Sequence, residues 1–123
     1  MPRIIKGTMI IIVMARKYRV YYEKQYDRLM IAGKSDEEVM AGSVRLLNVI
    51  LDFNIENKVV NAEMLHASEY LNSLGLNTDI LTKATNGTLS FRQLRNGYEI
   101  VFVLMVGKKI VPIPYNIQMP DQK

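Results

Sequence analysis

The change of period between Leu46 and Leu76 constrains this chain more than any other feature. Residues 46–53 form a β-branched and aromatic run in which Leu47, Val49, Leu51 and Phe53 share one face at period two. Asn54, Asn57 and their neighbours interrupt it with turn-forming side chains. Residues 59–65 then resume an extended pattern with Val60, Ala62 and Met64 in phase. From Ala67 the spacing becomes i, i+3, i+4, i+7 through Tyr70, Leu71 and Leu74, and Gly75 follows as a helix C-cap. Two strands running directly into an amphipathic helix predict an α+β unit.

The same stretch carries a resemblance. Residues 49–68, VILDFNIENKVVNAEMLHAS, resemble the core pattern of a small microbial domain-of-unknown-function family, with a consensus near VIIDYDEDGNIVGIEILDAS. Residues 20–31, VYYEKQYDRLMI, are similar to that family's preceding hairpin, VTYDKEADALYIRL. The resemblance covers roughly residues 18–74 and implies antiparallel strands with one packed helix; it implies no activity. This chain has His66 where the family tends to have an Asp suited to cap a helix, so the helix start is open between His66 and Ser68.

A chain of 123 residues, 49% apolar, predicts a single domain (1–123) with a sizeable core. The absence of Cys excludes disulfides, thiolate metal sites and a cysteine nucleophile, and a cytoplasmic location is expected. The net charge of +4 is unevenly spread: residues 1–34 carry net +6, residues 35–79 net −6 and residues 80–123 net +4. That order suits either a nucleic-acid surface or segments that neutralise one another, and the second reading is preferred because no basic run exceeds two residues.

Taken in order, residues 9–13 are apolar on both faces and read as a buried or edge strand, too short for a membrane helix. Residues 18–31 read as a hairpin with Tyr18, Val20 and Tyr22 on one face. Ser35 and Glu38 fit a capping box for a short helix to about Ala41, whereas the family resemblance implies an acidic connection or strand there. Asn77, Thr78 and Asp79 can cap a second short helix through Ala84, and residues 85–88 read as a loop. Asn96-Gly97 predicts a two-residue type I′ turn. Tyr98 to Val106 is apolar on both faces and reads as a central strand, and Pro112 and Pro114 make the next extended segment an edge strand or take it out of the sheet. The expected fold is mostly antiparallel sheet built from hairpins, one main packed helix at about 67–74, and a three-stranded meander (88–117) appended to the unit 18–76.

Chemistry is sparse. The single histidine, His66, has Ser68 and Glu63 nearby in sequence without triad spacing, and no phosphate-binding glycine loop occurs. Asp52 and Glu63 are a pair of carboxylates able to meet across the second hairpin. No metal site or cofactor is implied. The preferred function is a non-enzymatic protein acting through self-association, as a homodimer or higher even oligomer, or through a protein partner. A nucleic-acid-binding module is the alternative, with Arg16, Lys17, Arg19, Tyr21, Tyr26 and Arg28 as a basic, aromatic platform. A hydrolase centred on His66 is the third reading. No membrane association is expected.

Overall fold

The computed structural model describes residues 18–118; the strand expected at residues 9–13 lies outside them. Eight strands form one antiparallel sheet: β1 (Tyr18–Glu23), β2 (Arg28–Ala32), β3 (Met40–Leu46), β4 (Val49–Asn54), β5 (Val59–Leu65), β6 (Asn86–Leu94), β7 (Gly97–Val106) and β8 (Lys109–Gln118). Two short helices, α1 (Ala67–Ser73) and α2 (Asp79–Lys83), join β5 to β6. The strand order is β3-β4-β5-β2-β1-β6-β7-β8, so β1 and β6 join the hairpins of the first half to the β6–β7–β8 run in one sheet.

Alternation decides which face is buried. Val20, Leu29, Ile31, Leu51, Ala62, Met64, Ile100, Phe102, Leu104 and Ile113 point inward and join Leu71 and Leu81 of the helices in one core. The sheet curls strongly around that core. Phe53 on β4 meets Phe91 on β6 edge-on at 6.0 Å, although three strands lie between them in the sheet. Tyr115 on β8 reaches the β3–β4 turn, where its hydroxyl donates to Asn48 Oδ1.

Four sequence expectations are corrected. Residues 46–53 are not one strand: Leu47 and Asn48 form a two-residue turn between Leu46 and Val49, and Leu47 has φ 56° and is 71% exposed. Residues 35–41 are not helical. Ser35 N–H does donate to Glu38 Oε1 at 2.8 Å, as in a capping box, but the second Glu38 oxygen accepts from Asn54 Nδ2 at 2.8 Å. The next residues enter β3 instead of a helical turn, and Val39 O accepts from Ile55 N–H. The third concerns Asn96-Gly97. Leu94 pairs with Gly97, so the turn residues are Arg95 and Asn96 and Gly97 begins β7. Gly97 is required by space and not by a left-handed φ: a Cβ there would lie 2.0 Å from Ile117 O. Residues 86–88 also belong to β6 rather than to a loop.

The end of α1 follows its sequence closely. Leu76 N–H donates to Leu71 O at 2.9 Å and Gly75 N–H to Asn72 O at 3.0 Å, with Gly75 at φ 74°. This paired closure satisfies carbonyls that the helix itself leaves open.

Candidate interaction surface

The start of α1 is capped from a distant part of the chain. His66 occupies the N-cap position in the left-handed region and its side chain caps nothing. Asp27, in the β1–β2 turn, does so instead: its Oδ1 accepts from Ser68 N–H at 2.9 Å, and its Oδ2 from Ser68 Oγ at 2.7 Å. Its backbone carbonyl takes Ala67 N–H at 3.0 Å. Tyr22 OH also donates to Asp27 Oδ1, at 2.6 Å. Burial alone would raise the Asp27 carboxyl pKa, but the Tyr22 and Ser68 hydrogen bonds and the nearby His66 hold it below the ordinary value. Burial, then the Asp27 partner, push the Tyr22 phenol up to about 12. The polar groove of 450 Å³ beside this cluster includes Lys24, Thr78 and Asp79.

This arrangement bears on the hydrolase reading. The Ser68 hydroxyl is engaged with Asp27, while His66 Nδ1 lies 3.6 Å from Glu69 with both side chains mostly exposed. No nucleophile–base pair is formed between Ser68 and His66. Among the described residues, no group of three or more His, Asp or Glu side chains is placed to hold a metal ion.

The basic, aromatic platform is divided by the fold. Arg16 and Lys17 lie outside the described residues. Arg19 and Tyr21 share the exposed outward face of β1, where the Tyr21 hydroxyl raises the Arg19 pKa. Tyr26 stands apart in the turn, 63% exposed. Arg28 is on the same outward face but is held by carboxylates: Nε donates to Glu23 Oε1 at 2.9 Å and Nη1 lies 3.0 Å from Glu63. The contact with Glu63 joins the basic first segment to the acidic second one.

Asp52 and Glu63 share the outward face on neighbouring strands but are not directly opposite, since Asp52 pairs with Asn61 and Ile50 with Glu63. Asp52 accepts from Ser43 Oγ at 2.6 Å and from Asn61 Nδ2 at 3.2 Å. With Tyr21 and Met30 these carboxylates line a depression of 250 Å³, in which Asp52 is bonded to Asn61 and Glu63 is paired with Arg28.

The outward face of β7 and β8 is different. Val101 pairs with Pro114, Val103 with Pro112 and Met105 with Ile110, making three consecutive apolar cross-strand pairs. Val101, Val103 and Met105 are partly exposed; Pro112, Pro114 and Ile110 are exposed, Ile110 at 62%. Charge borders the patch at both ends. Arg92 pairs with Glu99 at 2.6 Å at one, and Lys108 and Lys109 lie at the other. Sequence reasoning marked Tyr98 to Val106 as apolar on both faces, and β7 is a central strand between β6 and β8. β8, expected at an edge because of its prolines, is one of the two outer strands.

Among the described residues, no helix is long and apolar enough to cross a membrane. Comparison with protein-family models, with curated proteins and with solved structures finds no match for this chain.

Proposed function

We propose that the protein acts non-enzymatically by self-association, with the outward face of β7 and β8 packed against the same face of a second copy. The supporting observation is the set of apolar pairs Val101–Pro114, Val103–Pro112 and Met105–Ile110, uncovered by any described residue of the chain. A contiguous apolar patch on a protein surface marks an interaction site more often than chance exposure does.

The prolines select the mode. Pro112 and Pro114 have no N–H, so β8 offers a poor edge for strand addition and association uses the face of the sheet. Two sheets packing face to face give a twofold dimer, the commonest arrangement of identical chains. With the strands of the two copies antiparallel, the Glu99 end of one patch meets the Lys108 and Lys109 end of the other. A larger even oligomer adds a second interface and leaves this one unchanged.

Membership of the domain-of-unknown-function family remains part of the proposal, supported by the order of hairpin, hairpin and helix across residues 18–74. The nucleic-acid reading has one observation in its favour, the exposed neighbours Arg19 and Tyr21. Arg28 between two carboxylates argues against it. Light scattering at micromolar protein in low and high salt tests the proposal. A particle of twice 14.1 kDa in both is expected, since apolar burial is not screened by salt. A monomer in both, with steeply salt-dependent retention on nucleic acid, returns the function to the first hairpin.

A further inference from the structure

The dipeptide Asn-Gly occurs twice, at Asn86-Gly87 and at Asn96-Gly97, and the fold holds the two differently. Asn86 and Gly87 both lie in β6 and are paired on both sides: Asn86 with Arg19 and Met105, Gly87 with Tyr18 and Leu104. Just before them, Thr85 N–H donates to Met105 O at 3.3 Å. Gly87 is packed into the sheet, since a Cβ there would lie 2.4 Å from Val103 O and 3.3 Å from the Val20 side chain. Asn96 belongs to neither ladder of β7. It is an exposed residue of the two-residue turn between Leu94 and Gly97. Gly97 occupies the terminal rungs of the described β7 ladders, Leu94–Gly97 and Gly97–Gln118.

Asn is a thermolabile residue because its side-chain amide carbon is open to attack by the backbone nitrogen of the next residue. Gly in that next position leaves the approach unobstructed by a side chain. The attack requires the Asn backbone to rotate until the following nitrogen faces its Cγ. A residue held in ladders on both sides rotates only when pairs on both sides break. A turn residue beside terminal rungs rotates when the hairpin end frays, and such local openings cost far less than global unfolding.

We propose that Asn96 is a site of spontaneous deamidation in the folded protein, and that Asn86 is protected from the same reaction by its strand pairing. In the first step Gly97 N gives up its proton to water and bonds to Asn96 Cγ. The Cγ–Nδ2 bond breaks, ammonia leaves, and a cyclic succinimide remains. Water then opens the ring. Cleavage of the new Cγ–N bond gives aspartate, and cleavage of the original backbone C–N bond gives isoaspartate; neither route needs an oxidant or a reductant. Each product places a carboxylate beside Arg95 and lowers the formal net charge of +4 by one. The change falls at the end of the hairpin where Arg92 pairs with Glu99. Isoaspartate also lengthens the main chain by one methylene just before Gly97, whose fit against Ile117 O leaves no room for a Cβ. Gly97 is buried in the closed hairpin, so the reaction is slower than in the unfolded chain and its rate reports the opening of the hairpin end. This inference does not rest on the self-association reading.

Tryptic mapping reads the two sites separately. Cleavage after Lys83, Arg92, Arg95 and Lys108 puts Asn86 and Asn96 in different peptides, and neither peptide contains another Asn or Gln. The full chain is held in mildly alkaline buffer, folded in one sample and in denaturant in the other. Mass spectrometry follows the replacement of the side-chain NH₂ by OH in each peptide over time. Dividing each site's folded rate by its own rate in denaturant removes the influence of neighbouring residues. That ratio should be at least about tenfold higher at Asn96 than at Asn86. Equal ratios at the two sites, or an Asn96 that reacts in denaturant and not in the folded chain, overturn the proposal.

Discussion

On the outside of β1, β2 and β5, Arg28 is fixed between Glu23 and Glu63, and Arg19 stands beside Tyr21. On the outside of β7 and β8, three successive cross-strand pairs carry no charge. Both surfaces belong to one curled sheet around one core, so the difference is not imposed by folding. The inward residues of β2 and β7, Leu29 and Ile31 against Phe102 and Leu104, are alike in being fully buried. A sheet that needs only one apolar face to fold has spent apolar residues on a second face in just one half. The charged half is suited to water, and the apolar half is the one to which the proposal above assigns a partner.

The sharpest break would come from the two sides of one strand. Phe102→Asp, on the inward side of β7, should unfold the protein. An unpaired carboxylate in this core costs several kcal/mol against a total stability of about 5–15 kcal/mol. Loss of the cooperative melting transition is expected; a wild-type transition would mean that β7 has its faces reversed.

Gly97→Val probes the packing of the same strand against β8. A Cβ at Gly97 would meet the Ile117 backbone oxygen at 2.0 Å, so the strands must separate, at a cost of about 3 kcal/mol or more. Asn86→Ala, at an exposed position on β6, should stay within about 0.5 kcal/mol. Denaturant melts of the two proteins compare them directly, and equal midpoints would undo the assigned register.

Asp27→Asn tests the polar half. It weakens the cap supplied to α1, and about 1 kcal/mol should be lost near neutral pH. The Asp27 pKa is depressed in the folded protein, so its contribution is present above the unfolded value near 3.8 and is lost as pH falls through the folded value. The difference between wild type and variant should therefore shrink below pH 3.8, and a constant difference across that range would contradict the assigned hydrogen bonds.

The smallest effect is expected from Arg28→Ala. Its partners are partly exposed and the pairs are screened, so thermal stability should fall slightly in low salt and match wild type in high salt. Association should be unaffected. A change in oligomeric mass would move the interface to the charged half.

Legibility in the sequence followed the range of the forces involved. The switch from period two to period 3.6 placed β5 and α1, because alternation and Gly75 closure act within a few residues. The start of α2 after Asn77 and Thr78 was readable for the same reason, with Asp79 N–H donating to Asn77 Oδ1 at 2.9 Å. The turn at Leu47 was hidden because a leucine in the left-handed region carries no turn signal. Gly97 was recognised as special, but for backbone freedom and not for its distance to Ile117. The Ser35 capping box formed only its Glu38 half, and the second Glu38 oxygen is taken by Asn54, sixteen residues away. Asp27 as the cap of α1 had no local signature at all, since its partner Ser68 lies forty-one positions along the chain. The apolar second face of β7 was visible in the letters Val101, Val103 and Met105; that no described residue covers it depends on where α1 and α2 pack.

Val103→Asp measures the central claim most directly, because it charges the middle of the apolar patch while leaving Phe102 in the core. The substitution should cost the fold only about 1 kcal/mol, as an outward strand position permits. Sedimentation equilibrium of wild type and variant at the same micromolar concentration should give twice 14.1 kDa for the first and 14.1 kDa for the second, both with a folded spectrum. An unchanged dimer in the folded variant, or a wild type that is already monomeric, would contradict the assignment of β7 and β8 as the associating face.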